Sequence, residues 1–340
     1  MLSFFRKSKK ERRKKCMNLK DLAKITGYSL STVSKVFSDG KDVSAETKAA
    51  VIAKAKELGC FYKYDKKKFG KKVIAVICPE ITSAYYTVFL EELKKITERE
   101  NSVMLVSVTD FSLKTENELV GFYSTDNRAD GIIVIAGKSV AKRYNPVPIV
   151  YIGSSSEQKY ADVVGIDFYS GIREAIYAFR EAGHEKIGFI GERLTMGKQR
   201  LFEKAMKDRN LAVDPSLVVV SDKRFEEAGY EAMEKLFSGG NLPTAILTSY
   251  DYIALGVITS MQKHGLKCPD DISLIGMDNI KIADYYNISL SSIDTNAAEI
   301  TGIVTDILYK KMNRRGYTLV QHVSVKSNLI LRNSVKKRAD

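Results

Sequence analysis

The sequence predicts an α/β protein: a three-helix, helix-turn-helix headpiece ahead of a body of two doubly wound parallel-sheet lobes. Three observations lead there. Apolar residues recur at helical spacing over residues 19–58, short β-branched runs alternate with helix-length stretches from residue 73 onward, and 340 residues exceed one small domain. Charge divides the chain at the same place. Residues 1–72 hold 21 Lys or Arg against 7 Asp or Glu, while the remaining 268 hold 33 against 34. An acid-poor basic end on a near-neutral body is the footprint of a polyanion-binding module joined to something else.

Residues 1–16, MLSFFRKSKKERRKKC, carry eight basic residues and an apolar start too short for an export signal. Met17, just before a helical pattern, is expected to be the true start. The first helix places Leu19, Leu22, Ala23 and Thr26 on one face and stops at Gly27. Ser29 caps a second helix in which Val33, Val36 and Phe37 face inward, leaving Ser31, Thr32, Ser34 and Lys35 outward. Small Ala23, Gly27 and β-branched Val33 form the helix-turn-helix spacing: close crossing, a tight turn, and a wedge between the helices. A third helix begins at cap Ser44, with Glu46 in its first turn, and runs through Val51, Ile52, Ala55 and Leu58 to Gly59. Short polar side chains and one cation on the second helix suit a major groove.

Body strands are expected at 73–78, 102–108, 131–136, 148–153, 186–191, 217–221, 244–249 and 272–278. Unbroken β-branched runs mark strands buried on both faces, linked by right-handed helical crossovers. No stretch approaches the roughly 18 apolar residues of a membrane span, so no membrane partner is expected. Cys16, Cys60, Cys78 and Cys268 show no C-x-x-C spacing and read as free thiols in a reducing cytoplasm. His184, His264 and His322 are too scattered for a metal cluster and read as surface or turn residues. Neither G-x-S-x-G nor a phosphate-cradling G-x-x-x-x-G-K-[ST] occurs, so no catalysis and no cofactor are expected.

The run LKDLAKITGYSLSTVSKVFSDGKDVSAETKAAVIAKAKELG resembles the headpiece of the LacI/GalR family of transcription regulators. The resemblance implies that Leu30, Ser31, Thr32, Ser34 and Lys35 contact DNA from the recognition helix, that Ser29, Ser44 and Thr47 touch phosphates, and that Leu19 belongs to the same DNA-facing set. The family's usual Arg after TVS is Lys35 here, which lacks the bidentate fork. The family's hinge segment is replaced by CFYKYDKKKFGKK, with Phe69 where a Leu wedges into the minor groove and Lys63, Lys66, Lys67 and Lys68 placed for phosphates. VVGIDFYSG, GHEKIGFIG, SYDYIALG, CPDDISLIGMDN and SSIDTN extend the resemblance to about residue 333. They imply a type I periplasmic-binding-protein-like body whose chain changes lobe near residues 168, 292 and 321.

The expected organisation is a basic extension at 1–16, headpiece at 17–60, linker at 61–72, effector-binding and dimerisation body at 73–333 and a tail at 334–340. Its N-lobe would comprise 73–168 and 293–320, and its C-lobe 169–292 and 321–333. Ligand should sit between the lobes at the strands' carboxyl ends. Strand-end candidates are Glu80, Ser83, Tyr85, Tyr86, Asp251 and Asp278, the carboxylates suiting sugar diols. Asp251 and Asp278 could equally cap the helices that follow. Lys198 falls at the family's effector-contacting Arg, with Arg200 close by and Arg224 a weaker candidate whose plainer role is an exposed helix residue. The expected function is a cytoplasmic, homodimeric regulator, a repressor, that binds a palindromic double-stranded operator and answers a small-molecule effector, a sugar or derivative. The alternatives are a sugar-binding protein or an effector-independent DNA-binding regulator. The final LRNSVKKRAD has no apolar heptads to join dimers into tetramers.

Overall fold

The computed structural model describes residues 18–38, 42–58, 60–61, 70–125, 128–154, 157–281, 288–313 and 319–338. The expectations about residues 1–16, Met17, Lys63, Lys66, Lys67, Lys68 and Phe69 lie outside these residues. Helices α1 (Leu19–Thr26), α2 (Leu30–Phe37) and α3 (Ala45–Glu57) share one small core in which Leu22, Val33, Val51 and Ala55 are fully buried. Gly27 ends α1 at φ 75°, the left-handed turn that a Cβ would strain. Asn18, Ser29 and Ser44 each accept a backbone N–H of the first helical turn, satisfying donors that helix starts leave unpaired. Cys60 and Phe61 are buried in the same core, with the Phe61 ring 6.4 Å from Phe37, so Phe61 belongs to the headpiece rather than to the linker.

In the N-lobe, β1 (Lys72–Cys78), α4 (Ala84–Arg99), β2 (Ser102–Val108), α5 (Leu113–Tyr123), β3 (Gly131–Gly137), β4 (Ile149–Ser154) and β5 (Asp162–Asp167) follow in turn. After α6 (Phe168–Glu181), the C-lobe runs β6 (Ile187–Glu192), α7 (Met196–Asp208), β7 (Val218–Ser221), α8 (Phe225–Ser238), β8 (Ala245–Thr248), α9 (Asp251–Lys263), β9 (Ser273–Met277) and β10 (Ser291–Asp294). Helix α10 (Ala297–Asn313), β11 (His322–Lys326) and β12 (Asn328–Ile330) complete the chain. The sheets have orders β11-β5-β4-β3-β1-β2 and β12-β10-β9-β8-β6-β7, parallel throughout except for antiparallel β12. Strand periodicity sorts the N-lobe core: Ile74, Val76, Ile133 and Ile135 enter one face, and Ala75, Ile77, Ile132 and Val134 the other.

Four strands were not expected, namely β5, β10, β11 and β12. One expected as fully buried is not: β2 is an edge strand whose Leu105, Val106 and Val108 are exposed, because none of the described residues covers its outer side.

Two of the three lobe crossings lie later than expected. The first holds, since β5 belongs to the N-lobe sheet while α6 packs in the C-lobe core. Residues 293–294 continue β10 in the C-lobe sheet, so the second crossing falls between Asp294 and Ala297 rather than near 292. Residues 322–326 pair with β5 in the N-lobe, so the third crossing is at Ser327, not 321. Buried Ser327 ties these strands together, its hydroxyl donating to Asp167 O at 2.8 Å and accepting from Gly171 N at 3.1 Å. A Cβ on Gly171 would come within 2.4 Å of the Ile293 side chain and 2.7 Å of the Ser327 hydroxyl, so these side chains fill the space beside the crossings. The expected tail is not free either: Ser334 is fully buried, and Arg338 N bonds Ala182 O on the C-lobe.

Candidate functional site

Two sites emerge, one on the headpiece and one between the lobes. Burial of Val33 and Val36 fixes the roll of α2 and leaves Leu30, Ser31, Ser34 and Lys35 exposed, with Thr32 half-exposed. The Ser29 hydroxyl accepts from Thr32 N at 3.0 Å, and that of Ser44 from Thr47 N at 3.2 Å. Two helix N-termini with their positive dipole ends thus stand capped at the surface, beside exposed Lys20 and Lys24. Lys35 Nζ lies 3.2 Å from Asp42 Oδ2, both side chains open to solvent. Such surface pairs contribute at most about 1 kcal/mol, so a phosphate or base edge can displace Asp42. Leu19 is half-buried against the headpiece core, which limits what it can offer to DNA.

Between the lobes lies a cleft of about 180 Å³. Ser83, Tyr85, Tyr86 and Phe111 line it from the N-lobe, and Phe168, Glu192, Leu194, Thr195, Lys198, Arg224, Tyr250 and Asp278 complete it. Lys198 Nζ donates to Ser249 O at 2.8 Å, lies 4.8 Å from the Phe168 ring centroid and 3.6 Å from Asp278 Oδ1. That last distance is too long for a hydrogen bond, and Asp278 Oδ1 is a buried acceptor with no hydrogen-bond partner. Burial pushes the Asp278 carboxyl above its usual range, with Lys198 opposing. Asp278 also adopts φ 94°, strain of the kind that collects at ligand sites.

Arg224 Nη1 and Nη2 donate to both Glu80 oxygens at 2.8 and 2.7 Å, and its Nε lies 3.3 Å from Glu192 Oε2. Arg224 holds the Glu80 carboxyl below its usual range, whereas burial raises that of Glu192.

Residues 18–61 match "Bacterial regulatory proteins, lacI family", and residues 176–335 match "Periplasmic binding protein-like domain". The chain is 28% identical over 339 residues to the HTH-type transcriptional repressor PurR of Pasteurella multocida, covering 94% of this chain and 99% of the relative. Its headpiece is of the lacI family and its body is periplasmic-binding-protein-like. A LacI-family regulator from Silicibacter pomeroyi has the same fold, with TM-score 0.71 at 22% identity, covering 95% of this chain and all of that one. So does the lac repressor dimer bound to operator and the anti-inducer ONPF, at TM-score 0.70 and 18% identity, covering 94% and 99%. The chain is a DNA-binding transcriptional regulator and not an enzyme.

Within the body, the cleft gathers Ser83, Tyr85, Tyr86, Lys198, Arg224 and Asp278 of the sequence candidates, with Glu80 reached through Arg224. Two candidates fall outside it. Arg200 is exposed on α7, since the register of that helix gives the inward position to Lys198. Asp251 is a framework residue: its carboxylate accepts Ile280 N at 2.9 Å and the Ser292 hydroxyl at 2.7 Å, bracing the loop that carries Asp278. Arg224, read from sequence as a weaker effector candidate with an exposed helix position as its plainer role, stands at the N-cap position of α8 without a side-chain capping bond and lines the cleft. Phe111, Phe168, Glu192 and Tyr250 were missed; no motif marks them, and only the fold assembles them. His184 is likewise no surface residue, being buried between Thr244 Oγ1 and Lys336 O, each at 3.1 Å.

Proposed function

We propose that this chain is a LacI-family repressor that reads a palindromic operator as a homodimer and is regulated by a small hydroxylated molecule, a sugar or sugar derivative, in the cleft. The supporting observation is the outward row Leu30, Ser31, Thr32, Ser34 and Lys35 on a helix rolled by its own buried valines. In this reading the row meets base edges, while Ser29, Ser44, Thr47 and Leu19 face the backbone. The headpiece spans residues 18–61, and the two-lobed body begins at β1.

The sugar reading rests on Asp278, whose buried Oδ1 lies 3.6 Å from Lys198 but accepts no hydrogen bond and so can take a hydroxyl proton, beside the ring of Phe168. At about 180 Å³ the cleft is below the roughly 300 Å³ of pockets for drug-sized ligands, favouring something of monosaccharide size. A second copy of the chain would cover Leu105, Val106 and Val108 on the open edge of β2. Thermal-shift screening of sugars, sugar phosphates and nucleobases tests the effector. A stabilising sugar whose shift vanishes in Asp278→Ala supports the reading; a nucleobase hit with no sugar response replaces it. Light scattering showing a stable monomer contradicts the dimer.

A further inference from the structure

We propose that Arg224 is a positioning residue, a clasp that holds the two lobes at their closed spacing before any ligand enters. Glu80 follows β1 in the N-lobe, while Arg224 stands at the N-cap position of α8 and Glu192 ends β6 in the C-lobe. The guanidinium therefore spans the opening between the lobes, gripping Glu80 through two parallel bonds and leaning on Glu192. Its plane also lies 5.6 Å from the Phe111 ring of the N-lobe and 4.5 Å from Phe225 of its own. Bidentate Arg–carboxylate pairing is specific in geometry as well as in charge, so separating the lobes by a few ångströms breaks both bonds together.

The other ion pair joining the lobes among the described residues, Lys281–Glu91 at 3.1 Å, is open to solvent on both sides and screened by salt. The Glu80 side chain is only 12% exposed and that of Glu192 4%, so the Arg224 bridge is shielded. Thr82 Oγ1 donates to Glu80 at 2.9 Å and fixes its rotamer toward Arg224. Phe225 N bonds the Tyr250 hydroxyl at 2.9 Å while Phe225 sits at φ 56°, which anchors the start of α8 beneath the clasp. A ligand shifts a conformational equilibrium only by its differential affinity for the two states. A lobe pair already held shut leaves the effector less closure to drive, and the clasp presets the width of the site it enters. This significance for regulation rests on the cleft being the effector site; the clasp itself does not.

The test is the distance between the lobes in full-length protein without ligand. Spin labels at Glu98→Cys on α4 and Ser238→Cys on α8, in a Cys16→Ser background and diluted with unlabelled protein, report it by electron–electron double resonance; Cys60, Cys78 and Cys268 are buried. The parent should show one narrow, closed distribution. Glu80→Gln and Arg224→Gln should each move it to a longer mean distance, and the double variant should open no further than either single. Arg224→Lys, which keeps the charge without the fork, should fall between, and Lys223→Gln next door should change nothing. An open parent, singles that keep the parent's distribution, or a double variant that opens by the sum of the singles would each overturn the clasp. No effector enters the measurement, so a failed ligand screen and a failed clasp remain distinguishable.

Discussion

Lys35 is one lysine in the row of short polar side chains proposed to face DNA, and its contribution separates from theirs by salt. Lys35→Ala should weaken binding and lower the slope of log affinity against log salt by about 1, whereas Ser31→Ala should alter sequence preference with the slope intact. Fluorescence anisotropy over a salt series checks both. Asp251 makes a pH prediction. Burial pushes its carboxyl up to about 8, with neighbouring Asp278 adding to the rise, so the native state keeps a proton that the unfolded chain releases above its ordinary value near 4. Stability from this group is fully present below about pH 4 and is lost as pH rises through about 8. Asp251→Asn should flatten the fall of the melting midpoint across that window; a slope unchanged from the parent would count against the assignment. Sequence could not separate Asp251 from Asp278, since both are carboxylates near strand ends. What divides them is partners distant in the chain: Ser292 and Ile280 occupy one, while Oδ1 of the other accepts no hydrogen bond. Arg224 was undervalued for the same reason, its partner lying 144 residues away.

At the scale of elements, helix caps were legible because they are local. Ser29 and Ser44 announce α2 and α3, and Ser44→Ala should cost the headpiece about 1 kcal/mol, measurable by thermal denaturation of the full chain if the headpiece melts as its own transition. The helix pair α8–α9 was legible as helices but not as a contact. Gly229 and Gly256 let the two backbones meet, and a Cβ on Gly256 would stand 1.9 Å from Glu226 O. Gly256→Ala should therefore destabilise the C-lobe by about 3 kcal/mol, seen as a lower urea midpoint. Strands β10, β11 and β12 escaped notice because they are three to five residues long and mix serine, lysine and asparagine with their apolar positions. β11 and β12 lie at sheet edges and β10 between β12 and β9, and none of the three is long enough to carry an unbroken β-branched run. The second and third lobe crossings were misplaced in consequence, each by a few residues, because a crossing is visible only once its flanking strands are.

The whole molecule joins a basic, three-helix reader to a near-neutral pair of lobes whose cleft lies at the ends of their strands. That division was plain in charge and in periodicity before any contact was known, because both are local properties summed over many residues. The cleft's chemistry was not, because its walls come from at least six separated stretches of chain. Leu30 to Lys35 are proposed to read DNA sequence from both subunits of a dimer. Selection of binding sites from a random duplex library by the full-length protein is the decisive test. Two inverted half-sites should be enriched, and the enrichment lost when Ser31, Thr32, Ser34 and Lys35 are replaced together by alanine in a protein whose lobes still melt normally. Failure to enrich any sequence, or the same motif recovered with the quadruple variant, would contradict it.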